Sequence, residues 1–124
     1  MNILIVSKYP PIEGGVSSQT YWLAKALGER GHKICVVSNC WEVEPRYREI
    51  IQDDEIALLE PKNVDLFSTS PEFRSSIPFS RYFESRITSV ALDIMKKYDI
   101  DVVYSHYLLP YGISSLILKK LTNK

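Results

Sequence analysis

The sequence predicts an α/β domain, a Rossmann-like, doubly wound parallel sheet with its strands in the order 3-2-1-4. Three observations predict it. Residues 2 to 7 (NILIVS) and 33 to 38 (KICVVS) are short, rich in β-branched residues and apolar nearly throughout, as strands buried on both faces of a parallel sheet must be. Between them lies a stretch of helical period, which makes a βαβ unit with a right-handed crossover. A second long amphipathic pattern, at 79 to 98, leads into another apolar run at 99 to 105.

The first strand breaks at Lys8-Tyr9-Pro10-Pro11-Ile12-Glu13-Gly14-Gly15, where two prolines set φ and two glycines permit positive φ. From Val16 to about Arg30, Val16, Thr20, Leu23, Ala24 and Leu27 recur at helical spacing, and Gly31 supplies a left-handed stop. A third strand is expected at Glu55 to Glu60 (EIALLE), bounded by Pro61. Pro61 to Pro78 shows no sustained period and reads as a long excursion, either a binding element or a surface loop. Phe79, Tyr82, Phe83, Ile87, Val90, Ala91, Ile94 and Met95 mark one face of the next helix. Asp99 to Ser105 is the fourth strand. After His106 to Leu109 a last helix opens with Pro110 in its first turn and is expected to turn Ile113, Leu116, Ile117 and Leu121 inward. Sheets of this kind continue with a further parallel strand, so residues 1–124 read as one partial domain of something larger, or as an unusually short relative.

Composition narrows the function. The 124 residues are 45% apolar and 24% charged, enough for one domain with a real core and no need of staples. Fifteen Lys and Arg against fifteen Asp and Glu leave no basic excess for tracking phosphates, which argues against nucleic acid as a partner. MNILIVS carries no basic leader, and nothing approaches the ~20 apolar residues of a membrane span, so the expected place is the cytoplasm or the inner membrane face. Cys35 and Cys40 would stand about 16 Å apart along an extended chain, beyond disulfide reach, and read as free thiols. No CxxC or Cys/His cluster suggests a metal.

Ligands of open α/β sheets bind beyond the carboxyl ends of the strands, where the strand order reverses, here between strands one and four. Two loops should meet there. Gly14-Gly15 opens a helix whose first amides lack intrahelical acceptors and so favour an anion. Ser105-His106-Tyr107 sets an imidazole at the tip of strand four. Tyr9, Tyr107 and Tyr111 could stack on a ligand ring or simply pack. The sequence has no GxGxxG, no P-loop, no GxSxG elbow, and no acidic residue ending strand two, where Ser38-Asn39 stand with Glu42 a few residues on. Dehydrogenases, P-loop enzymes and serine hydrolases are thereby disfavoured.

Taken together, MNILIVSKYPPIEGGVSSQTYWLAKALGERGHKICVVS resembles the opening of the retaining glycosyltransferases of the GT-B fold (group 1, family 4-like). The shared features are a strand, a Pro-rich loop ending in Gly-Gly-Val, a helix with LAKxLxxRGH and a second strand. DIDVVYSHYLLPYGISSLILKKL is similar to that family's strand ending near a histidine and the helix after it. Residues 42 to 78 match nothing characteristic.

The resemblance implies an acceptor-side domain facing a second, nucleotide-sugar-binding domain that lies outside these residues. By position, Gly14 and Gly15 would approach the donor diphosphate, and His106 would stand beside the anomeric centre and the acceptor. Tyr9 and Tyr107 are candidate acceptor contacts. The nucleotide sugar would be a substrate, with no cofactor and no metal. Where the family often has Glu after Gly-Gly-Val, this chain has Ser17. The rival expectation is a non-catalytic α/β module that binds a nucleotide or a protein partner in the same cleft.

Overall fold

β1 (Asn2–Val6), β2 (Lys33–Ser38), β3 (Val64–Ser68) and β4 (Val102–Ser105) form one parallel sheet in the order β3-β2-β1-β4, the expected order. The protein is described here as a computed structural model covering residues 1–39, 53–69 and 81–124. Among the described residues three α-helices cover the sheet: α1 (Gly15–Glu29), α2 (Arg81–Lys97) and α3 (Ile113–Thr122).

Alternation along the strands splits the core in two. Leu4, Val6, Cys35 and Val37 pack with Phe83, Ile87, Ala91 and Ile94 of α2 and Leu118 of α3. Ile3, Ile5, Ile34 and Val36 pack on the other face with Ala24 of α1 and with Leu59 and Val64. Because both faces are covered, β1 and β2 read as unbroken apolar runs. Cys35 is a free, fully buried thiol whose pKa burial pushes up, which suits an inert core residue. Cys40 lies outside the described residues, as do Phe79 and the side chain of Tyr82.

α1 lies close to the sheet because its buried stripe is small: Ser17, Thr20, Ala24 and Gly28. Val16, Leu23 and Leu27 are only half-buried at its flanks. α2 buries the face its period predicted, with Phe83, Ile87, Ala91 and Ile94 inside and Val90 and Met95 partly so.

Two expectations are corrected. EIALLE is not a strand: it lies in 3-10 turns spanning Asp53–Leu59, with Leu59 buried and Leu58 exposed. The third strand lies at Val64–Ser68, inside the stretch read as an excursion, of which 70 to 78 fall outside the described residues. As an edge strand it alternates. Val64 and Leu66 face the α1 core while Phe67 faces the other, and Asp65 pairs with Lys33 at 2.6 Å. An aspartate in a five-residue strand hides it from a search for continuous apolar runs.

The last helix is also turned differently. Tyr111, Ser114 and Leu118 face inward, while Leu116 and Leu121 are 53% and 62% exposed and Ile117 is exposed as well. A kinked turn over Leu108–Gly112, with Leu109 in an extended conformation (φ −113°, ψ 134°), precedes α3 and sets its rotation. Ser114 Oγ donates to the Pro110 carbonyl at 3.1 Å and lies 3.3 Å from that of Glu84, so a small hydroxyl, not a leucine, meets α2.

Candidate functional site

Val6 of β1 is in register with Ser105 of β4, so the next residues, Ser7 and His106, emerge side by side at the carboxyl end of the sheet. His106 Nδ1 lies 3.1 Å from Ser7 Oγ and 3.2 Å from Thr20 Oγ1 of α1, and the two hydroxyls are 3.1 Å apart. Ser7 and Thr20 are both fully buried. On the other side of the ring, Nε2 lies 3.2 Å from the Tyr104 hydroxyl, and the Tyr104 and His106 rings meet edge to face at 5.0 Å. Burial lowers the imidazole pKa below its ordinary value, which favours the neutral ring at neutral pH.

The start of α1 completes the cleft. Gly14 caps the helix with φ 124°, a left-handed value that favours glycine, and offers no side chain to the first amides. A Cβ on either Gly14 or Gly15 would meet nothing within 4 Å. Gly15 adopts an ordinary φ, so the fold itself does not demand a glycine there. Ser17 Oγ, one turn in, is buried without a hydrogen-bond partner. It lines a cleft of about 350 Å³ with Pro10, Gly14, Ser18 and Tyr21. Glu13 also lines the cleft but is exposed, where water screens its charge. The first turn contains no acidic residue, which leaves the positive end of the helix dipole uncompensated from within. Gly15 and Thr20 are five residues apart, so the imidazole touches α1 roughly 7–8 Å along its axis from the first amides.

The structure thus brings His106, Gly14 and Gly15 to one end of the sheet. It parts the tyrosines. Tyr9 is fully buried, its hydroxyl donates to the Leu59 carbonyl at 2.7 Å, and its ring meets Tyr21, so it packs in the α1 core. Tyr111 is buried edge to face against Phe83. Tyr107 is exposed with φ 64°, and Lys8 Nζ stands 5.6 Å from its ring centre, linking the two loops. Nothing in the local sequence marks Ser7, Ser17 or Tyr104 as a site residue. Thr20 did carry a signal, as the one polar residue in an otherwise apolar helical stripe.

Among the described residues no three His, Cys, Asp or Glu side chains converge on a metal position, and no helix is long and apolar enough to cross a membrane. No curated protein matches the chain. The family model for Glycosyltransferase Family 4 matches residues 13–124, the stretch that runs from the glycine loop through β4 and His106 to the end of α3. On that match and on its Rossmann-like sheet, the chain belongs to glycosyltransferase family 4 and is an N-terminal, GT-B-type domain with a glycosyltransferase-like function.

Proposed function

We propose that the chain is the acceptor-side domain of a retaining transferase that moves a sugar from a nucleotide-sugar donor to an acceptor. The observation that supports this reading is that His106, held by hydroxyls from two other elements, and the open helix start at Gly14-Gly15 stand at the same end of the sheet, with the imidazole touching α1 at Thr20. The amides of Gly14 and Gly15 stabilise the leaving diphosphate as its charge grows, a fixed array that needs no reorganisation. Ser17 Oγ adds a neutral hydroxyl where the family often has a carboxylate, which favours a negatively charged ligand. His106 lies beside the anomeric carbon and acceptor and orients both. A second domain supplies the nucleotide pocket, so residues 1–124 alone do not turn over. Tyr107 meets the acceptor at the rim. The enzyme works in the cytoplasm, meeting the inner membrane face where its acceptor is a lipid.

The test is the anomeric configuration of the product, followed by proton NMR for the chain joined to its nucleotide-sugar-binding domain. A first-formed product with the donor's configuration is expected. An inverted product overturns retention, and no transfer from any nucleotide sugar overturns the reading as a whole.

A further inference from the structure

The hydrogen-bond inventory around His106 determines more than its position. Thr20 Oγ1 donates its only proton to the Val16 carbonyl one turn earlier, at 2.8 Å. It can therefore only accept from its other two neighbours, Ser7 Oγ and His106 Nδ1. Both hydroxyls are fully buried, so no bulk water substitutes for a missing donor.

Two arrangements are open to the neutral ring. With the proton on Nδ1, the ring donates to the hydroxyl pair, Ser7 donates to Thr20, and every short contact is a hydrogen bond. With Nδ1 bare, Ser7 can satisfy either the ring or Thr20 but not both, and the Thr20 oxygen then faces a nitrogen lone pair at 3.2 Å. A buried contact between two acceptors costs what an unmade hydrogen bond costs.

We propose that Ser7 and Thr20 are positioning residues that hold His106 in its Nδ1–H tautomer and leave Nε2, on the Tyr104 side of the ring, as a hydrogen-bond acceptor. This is the reverse of a histidine side chain free in water, which prefers the proton on Nε2. In that tautomer the Tyr104 hydroxyl, 3.2 Å away, donates to Nε2. The lowered pKa keeps the ring neutral, so that its tautomer matters. Resting on the transferase reading, the consequence is selective. An acceptor nitrogen takes a sugar hydroxyl and disfavours a phosphate oxygen, so the diphosphate is left to the α1 amides.

The tautomer is read directly from two-bond proton–nitrogen correlations of the uniformly labelled chain, at a pH above the His106 titration. The sequence has two histidines, so a His32→Gln variant assigns the signals. The expected result is a pyrrole-like Nδ1 and a pyridine-like Nε2. In Thr20→Val the ratio of Nδ1–H to Nε2–H should fall by roughly tenfold, about the worth of one hydrogen bond. Thr20→Ser, which keeps the acceptor, should restore it. A wild-type His106 that is mainly Nε2–H overturns the proposal, and needs no variant to fold. So does a Thr20→Val chain with the wild-type ratio. The spectra involve no ligand and no turnover. A tautomer that shifts in Thr20→Val while transfer by the two-domain enzyme is unchanged supports the proposal and counts against the catalytic role of His106.

Discussion

Asn63 Nδ2 donates to the Gly28 carbonyl at 2.9 Å, and this contact seats the end of α1 on the turn that leads into β3. Asn63 itself has φ 63°, a left-handed value that asparagine tolerates well. The approach is so close that a Cβ on Gly28 would run into the Lys62 carbonyl and lie 3.2 Å from a Val64 methyl. Glycine is therefore needed in the last turn of α1 although it weakens a helix.

Gly28→Ala should destabilise the chain. Alanine favours the helix by up to about 1 kcal/mol, but the collision is with backbone and overpacking of this kind costs about 1–3 kcal/mol. A net loss of about 1–2 kcal/mol is expected in urea unfolding, with the slope unchanged. A gain in stability would mean that the turn at Lys62 moves freely.

His106 should make stability fall in mild acid. Its folded-state pKa lies below the ordinary imidazole value of about 6.5, because burial disfavours the charged ring. The unfolded chain thus binds the proton more readily. The contribution is complete above about pH 6.5 and is lost as pH falls through the lower, folded value. Melting temperatures of the wild type and of His106→Gln, followed from pH 7.5 down to 5, should therefore diverge, with the wild type declining more. Parallel curves would show that the ring is as well solvated folded as unfolded.

In the two-domain enzyme, His106→Ala should lower kcat and kcat/KM together by about 10²-fold, the scale of losing one positioned polar group. The melting temperature should change little, since the half-buried ring is not part of either apolar core. A variant that melts several degrees lower yet turns over normally would make His106 a structural cap on β4.

Gly15→Val separates fold from site. Its Cβ would meet no protein atom, so the melting temperature should hold. The added side chain would stand where the diphosphate approaches the amides. The donor KM should rise, or kcat fall, by tenfold or more, a loss above about 1.4 kcal/mol. Unchanged kinetics would leave the glycine pair as turn chemistry.

The local and periodic part of the protein is legible in its residues alone. The runs at 2 to 7 and 33 to 38, the helical stripes from Val16 and from Phe83, and the break at Gly14-Gly15 state their own conformations. Burial on two faces, on one helical stripe, or at a positive φ each demands particular residue types within a few positions. From them the strand order followed, and with it the place of His106 at the switch point. Tertiary structure decided everything that depends on residues distant in sequence. EIALLE and VDLFS both suit an edge position, and the seat that α1 finds on the turn at Lys62-Asn63 lies beside the second. The apolar residues of α3 describe one stripe, but the turn at Leu108–Gly112 and the close approach of Ser114 to Glu84 rotate another inward. Ser7, Thr20 and His106 are separated by 13, 86 and 99 positions, and each alone is an ordinary polar residue. Their chemistry exists only because the sheet register and the packing of α1 bring two hydroxyls and an imidazole within hydrogen-bond reach, with both hydroxyls fully buried from water.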